Sequence, residues 1–395
     1  MPLISFAHRA RHILGACLLG VAASACVSNP PASSPAGPAS LSVAVDRLGG
    51  DLAGQINTSI LERMRSRKVV LDPFIDAQSG QQTASAVRAG QLLAQRLSAK
   101  DSGLKVEPFT AQGVQQADYL IAGSLARTRA DAGDYTLSAT VTERRTGLVI
   151  ASSTTRINAG EIDGTPTAFF SDSPSLVSDR LTQGYIATSR TAQGGAADAP
   201  YLASVSTAAL INEATQAYEA GGYGDALARY QAAAARPDGK QLRVFNGLYN
   251  THGKLGQTQE AEAAFAQIVA LGLATNNLAM RLLFNPGTTE FWRDRAVSGS
   301  YPVWLRQIAR EAAAGDYCLT VVGHTSRTGA EGVNERLSLA RARSVRDLLT
   351  GHDRKLAERV DVDGVGWHEN IIGSGTDDTR DSLDRRVEFK VRNCR

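Results

Sequence analysis

One apolar run, Ile13 to Ala25, stands at the head of this 395-residue chain, and it is 13 residues long. A membrane-spanning helix needs about 20 apolar residues. The run therefore cannot cross a bilayer, and a mean hydropathy of −0.17 leaves no polytopic membrane protein further along. Arg9 and Arg11 precede it and small residues come after it, the succession of a secretory signal over residues 1–25. The remainder of the chain must fold as exported globular domains. Its length exceeds one ordinary domain and suits two or three. Apolar residues at 43% against 21% charged supply buried cores. A formal charge of +3, from 42 Lys+Arg and 39 Asp+Glu, excludes a nucleic-acid binder held by net charge. Four Cys and six His offer little to a zinc framework or a dense disulfide scaffold.

Ala23-Ser24-Ala25-Cys26 resembles a bacterial lipobox, which implies cleavage before Cys26 and its acylation as a membrane anchor. Leu14-Gly15-Ala16-Cys17 has the same form but comes directly after Arg11 and His12, with no apolar core ahead of the cut. Cys26 is therefore the expected lipidation site. The alternative is a plain signal peptide that happens to carry cysteines. Val27 in place of Asp implies sorting to the periplasmic face of the outer membrane. Residues 26–40, rich in Pro, Ser and Ala, read as a semi-extended tether.

Residues 41–155 mix helix and strand patterns. From Asp46 to Arg65, Leu48, Leu52, Ile56, Ile60 and Met64 recur at four-residue steps, the stripe of an amphipathic helix. Val69 to Ile75 reads as a strand, Ala84 to Leu97 as a helix and Tyr119 to Leu125 as a strand. Tyr135 to Glu143 alternates, then turns through Arg144-Arg145-Thr146-Gly147 into Leu148 to Ala151. This order, with Tyr119–Ser124 and the hairpin ending at Ser152, resembles the small α/β domain of FlgO-type flagellar and curli-secretion lipoproteins. No catalytic constellation falls within it. Residues 156–200 read as an extension with Phe169-Phe170 and Leu176 to Tyr185 as its apolar material, closing in a linker at Gly194 to Pro200.

An internal repeat occupies residues 201–279. Gly221, Ala226 and Tyr230 are matched by Gly256, Ala261 and Phe265, and the two Ala are 35 residues apart (261 − 226). That spacing resembles tetratricopeptide repeats, whose period is about 34 residues. Two repeats fall short of a free-standing array, so they should pack on the preceding helix or a neighbouring domain. A rigid spacer is the favoured role, a peptide groove the other.

Residues 280–395 show a strand, helix, strand, helix, strand, strand pattern: Leu282–Phe284, Tyr301–Ala313, Cys318–Val322, Asn334–Thr350 stopped by Gly351, Arg359–Asp363 and Arg386–Val391. On the second helix Leu337, Arg341, Val345 and Leu348 share one face. A guanidinium in an apolar stripe must be paired. Either an internal partner such as Glu388 holds Arg341, or the arginine walls a pocket that grips a carboxylate.

Gly323-His324-Thr325-Ser326-Arg327-Thr328-Gly329, Asn334 through Ala342, Gly364-Val365-Gly366 and Asp384-Arg385-Arg386-Val387-Glu388 together resemble the peptidoglycan-binding domain of the OmpA-like family. The resemblance implies a ligand site at Thr325, Ser326, Asn334, Leu337, Ser338, Arg341 and Arg386. Arg341 would take the carboxylate of diaminopimelate in the stem peptide. The family's Asp, which receives the ligand's ammonium, is Ser326 here, so Glu331 or Asp384 becomes a candidate substitute. Asp384 itself stands where the family has Asn. The family's strand order also implies a Cys318–Cys394 disulfide, with two unpaired thiols as the alternative. His252, His352 and His368 are scattered and the acidic run Asp377, Asp378, Asp381, Asp384 reads as a solvated loop, so no metal site, cofactor or enzymatic centre is expected.

The expected fold class is α+β, multidomain: a small N-terminal α/β domain, a short all-α tetratricopeptide-like segment and a C-terminal βαβαββ domain. The expected partners are peptidoglycan, the outer membrane through the lipid anchor, and a periplasmic protein. The other function open to the sequence is regulatory. In it the N-terminal domain activates a cell-wall synthase or surface-appendage machine, and wall binding only localises it.

Overall fold

The computed structural model describes residues 37–56, 67–99, 102–128, 134–371, 375 and 384–394. The signal segment with Cys17 and Cys26, the tether up to residue 36, Ile60, Met64, Asp377, Asp378 and Asp381 lie outside the described residues. The chain is a mixed helix and sheet protein of several parts.

The first part comprises α1 (Leu41–Ile56), β1 (Arg67–Leu71), β2 (Ile75–Asp76), α2 (Ala84–Leu97), β3 (Leu104–Glu107), α3 (Ala111–Gln116), β4 (Tyr119–Arg127), β5 (Asp134–Glu143) and β6 (Val149–Asn158). The sheet order is β3-β1-β4-β5-β6, with β2 paired to β4. β1 runs parallel to β3 and β4, while β4, β5 and β6 form an antiparallel meander. The single strand expected over Val69–Ile75 is two strands, because Pro73 between them has no N–H for the ladder. One face is buried by Leu48, Leu52 and Ile56 of α1 and by Ala86, Leu93 and Leu97 of α2.

Later in the chain come α4 (Ala168–Asp172), α5 (Arg180–Thr188) and α6 (Ala199–Glu219), and the last two cover the other face. The Tyr185 hydroxyl lies 2.9 Å from Gly123 N and 2.8 Å from Gly123 O, and Tyr201 donates to Asp72 Oδ2 at 2.8 Å. The stretch expected as a linker is pinned by its backbone. Gly194 N donates to Val149 O, Val149 N to Gly195 O, and Asp198 caps α6 by accepting from Tyr201 N.

Two helical hairpins come next, built by α6 with α7 (Tyr223–Ala234) and by α8 (Leu242–Lys254) with α9 (Thr258–Ala274). The repeated anchors Ala226, Tyr230, Ala261 and Phe265 are all buried. One apolar core runs from Phe169 and Phe170 through these helices into the last part.

That part comprises β7 (Leu278–Met280), α10 (Arg295–Ser298), α11 (Tyr301–Ala314), β8 (Cys318–Gly323), α12 (Glu331–His352), β9 (Val360–Gly364) and β10 (Val387–Arg392). Its sheet order is β7-β10-β8-β9, with β10 antiparallel to β7 and β8, and β9 parallel to β8. The opening strand is Leu278–Met280 rather than Leu282–Phe284. Leu282 and Phe284 are buried from a loop in which Phe284 bridges Phe291, so core burial rather than strand pairing accounts for the apolar run. α12 passes through Gly351 and ends where Asp353 turns extended (φ −143°) and caps Lys355 N. Leu348 is 40% exposed, because the four-residue step from Arg341 and Val345 reaches Leu349 instead. Cys318 faces Arg392 across the β8–β10 ladder, and its sulfur is bonded to that of Cys394, with Cα atoms 5.3 Å apart. Among the described residues no helix is long and apolar enough to cross a membrane.

Candidate functional site

β8 and β9 end at Gly323 and Gly364, which are register partners. A Cβ on Gly323 would stand 2.1 Å from Ser338 O, and one on Gly364 would stand 2.3 Å from Leu339 N. Only glycine at both strand ends lets the α12 backbone lie this close. Ser338 is thereby seated on the strand ends, and Arg341 comes one helical turn later.

The loops above the strand ends are held to that seat. Ser338 Oγ accepts from Gly366 N at 2.9 Å, and Gly366 O accepts from Thr325 N at 2.8 Å. Asn334 Nδ2 donates to Thr328 O at 2.9 Å, and Ser326 Oγ lies 3.3 Å from Thr328 Oγ1. The fold thus gathers Thr325, Ser326, Asn334, Ser338 and Arg341 at one end of the sheet, all buried, with Leu337 half-buried beside them. Thr325 Oγ1 is buried and has no partner among the described residues.

Arg341 is 2% exposed. Its Nε donates to Thr288 O at 3.0 Å and its Nη2 to Asn285 O at 3.2 Å, and the guanidinium stacks 4.9 Å from the Phe284 ring centroid. The loop between β7 and α10 therefore fixes the plane of the fork. Sequence reasoning missed these anchors, since a carbonyl acceptor can come from any residue. Glu388, considered as the internal partner of Arg341, instead accepts from Arg386 Nε at 2.7 Å. Arg386 also donates to Glu369 O at 3.1 Å, so it serves this second cluster.

At the centre of that cluster His324 is fully buried, with Nε2 3.7 Å from Glu388 Oε1 and Nδ1 4.0 Å from Glu369 Oε2. Burial, reinforced by the positive Arg386 and Lys390, pushes its pKa down to about 2, so the ring is neutral. His324, Glu369 and Glu388 are close enough to share a cation, but both carboxylates already pair with Arg386 and Lys390. A second trio brings His368 Nε2 to 3.0 Å from Glu331 Oε1 and 3.8 Å from Glu335 Oε1 on the surface. Histidines scattered in the sequence are thus grouped with acids by the fold. Of the two candidate substitutes for the missing Asp, Glu331 is exposed beside His368. Asp384 is fully buried, and its Oδ1 accepts from Ile371 N at 2.6 Å. Asp384 is therefore not solvated, because its carboxylate is buried and holds the Ile371 N–H.

Residues 283–383 match the model of the OmpA family, which places an OmpA-like domain at the C-terminus. Outer membrane protein Omp38 of Acinetobacter baumannii is 40% identical over 67 residues, 17% of this chain and 18% of that protein. Outer membrane porin F of Pseudomonas aeruginosa is 36% identical over 72 residues, 18% of this chain and 20% of that protein. The chain thus spans about a fifth of the length of these relatives. The peptidoglycan-associated lipoprotein of Burkholderia pseudomallei aligns at 18% identity and a TM-score of 0.24, over 28% of this chain and 88% of that one.

Proposed function

We propose that this chain is an outer-membrane lipoprotein that grips peptidoglycan non-covalently through its C-terminal domain and so ties two envelope layers together. The observation that carries the reading is Arg341, buried and held by two loop carbonyls within the stretch that matches the OmpA family. A buried guanidinium held in one plane suits a bidentate grip on a carboxylate of the stem peptide. Thr325 and Ser326 line the other side of that pocket. Cys26 supplies the lipid anchor, the helical hairpins act as a spacer, and the N-terminal sheet domain presents a surface to a periplasmic partner. Omp38 and porin F are outer membrane proteins by name, in keeping with this location.

Ser326 accepts the ligand's ammonium without a charge, which costs roughly 1–2 kcal/mol against a carboxylate. Co-sedimentation of the full chain with purified sacculi tests this. The wild type should pellet saturably, and Ser326→Asp should bind about tenfold tighter. No pelleting by either protein would end the reading. A wild type that pellets and a Ser326→Asp that gains nothing would place the ammonium on another group. Cys26→Ser should leave the detergent phase for the aqueous one.

A further inference from the structure

The surface trio of Glu331, Glu335 and His368 takes no part in the grip on the wall. Glu331 opens α12 and Glu335 stands one turn further on, so both carboxylates share a helix face. His368 comes from the loop after β9. Gly366 seats that loop on the helix: its φ is +58°, and a Cβ there would stand 3.4 Å from Glu335 N. Gly366 N also donates to Ser338 Oγ, which holds the loop in place.

His368 Nε2 faces both carboxylates, 3.0 Å from Glu331 Oε1 and 3.8 Å from Glu335 Oε1. All three donor atoms lie within 4.8 Å of one another. Two donors bound to one tetrahedral zinc at about 2.0–2.1 Å stand about 3.3 Å apart. The observed separations bracket that span. Like charges four residues apart on a helix repel, and among the described residues no Lys or Arg pairs with either carboxylate. The His324 cluster differs, because Arg386 and Lys390 take up its two carboxylates. A helix N-terminus favours one carboxylate, but it accounts neither for the second nor for an imidazole nitrogen turned to both. Each of the three side chains is about half exposed, which leaves room for water to complete a coordination sphere.

We propose that Glu331, Glu335 and His368 form a divalent-metal site suited to Zn²⁺, with one imidazole nitrogen, two carboxylate oxygens and a water. Imidazole suits zinc, whereas calcium and magnesium take oxygen ligands. The neutral ring ligates through Nε2 and keeps its proton on Nδ1. An ion bound there ties the loop of residues 365–370 to the first two turns of α12.

Calorimetric titration of the tag-free, chelator-treated full chain with Zn²⁺ tests the proposal. Zn²⁺ should bind saturably, and Ca²⁺ at least tenfold more weakly. His368→Ala should lose at least tenfold in Zn²⁺ affinity, as should Glu331→Gln combined with Glu335→Gln. His352→Ala, which removes an exposed histidine at the far end of α12, should keep the wild-type affinity. Zn²⁺ should also slow hydrogen exchange over residues 365–370 in the wild type and not in His368→Ala. All these side chains are exposed, so circular dichroism should be unchanged in every variant. No saturable Zn²⁺ binding, equal affinity for Ca²⁺, full Zn²⁺ binding by a folded His368→Ala, or an equal loss in His352→Ala would overturn the proposal.

Discussion

The N-terminal sheet carries helices on both faces, and its central strand β4 is buried without interruption from Tyr119 to Leu125. The C-terminal sheet packs α11 and α12 on one face, and β10 alternates buried Val387 and Phe389 with more exposed Glu388 and Lys390. The consequence shows in how each region treats charge. Inside the N-terminal region Asp72 is nearly enclosed, and burial, only partly offset by Arg243 and the Tyr201 hydroxyl, pushes its pKa up to about 6. In the C-terminal region salt bridges surround a buried, neutral His324, Arg386 with Glu388 and Lys390 with Glu369. A lone buried acid is neutralised, whereas buried charges that come in pairs can stay in array. The array lies at the same strand ends as Arg341.

The largest expected effect concerns the covalent tie that only the C-terminal region has. Replacing Cys318 and Cys394 with Ala reopens a loop of 76 residues, a loss of about 4 kcal/mol in the chain-entropy model. Hydrogen exchange should quicken along β8 and β10 while β4 keeps its protection. Equal loss in both sheets would mean that they do not differ in this way.

Asp72 gives the next effect. Its folded pKa exceeds the unfolded value of 3.8, so its contribution is present at low pH and lost as pH rises through about 6. Asp72→Asn should therefore stabilise the protein by up to about 3 kcal/mol at pH 7.5 and by little at pH 4, read from urea midpoints. A destabilised variant at pH 7.5 would show that the ionised form is favoured there.

His324 acts with the opposite sign. Its folded pKa lies below the unfolded 6.5, so the stability present above pH 6.5 is lost as pH falls toward 2. At pH 5 the loss is about 2 kcal/mol. Between pH 6.5 and 4, acid should weaken β8 while Asp72 strengthens β4, and His324→Phe should flatten the C-terminal slope. Parallel acid responses in the two sheets would remove the contrast. The smallest effect is Gly50→Ala in α1, where a Cβ meets nothing within 4 Å. It should add about 0.5–1 kcal/mol, seen as a raised Tm.

The same division between the two regions governs how much of the molecule is legible in its sequence. The alternation of β10 and the stripe of α2 can be read, because a single buried face imposes a period on the residues. β3 spans only Leu104–Glu107, and the ties at Gly194 and Gly195 are made by backbone groups, so neither leaves a pattern. At the candidate site, Thr325, Ser326, Asn334, Ser338 and Arg341 are named in the sequence by the motif's resemblance to the OmpA-like domain, and the structure adds why Gly323 and Gly364 must be small where α12 seats. The carbonyls of Asn285 and Thr288 cannot, because any residue there offers the same acceptor. Arg386, which the motif groups with Arg341, belongs instead to the His324 cluster. Glu388 of the same motif is set opposite Val322 by strand register and accepts from Arg386.

The most direct test compares wild type and Arg341→Ala in co-sedimentation with sacculi, with circular dichroism and thermal melting recorded on the same samples. Losing a charged, bidentate donor should cost about 2–4 kcal/mol of binding, at least tenfold in affinity, while the spectrum is retained. A folded Arg341→Ala protein that pellets with sacculi as well as the wild type would contradict the assignment of Arg341 as the residue that holds the wall.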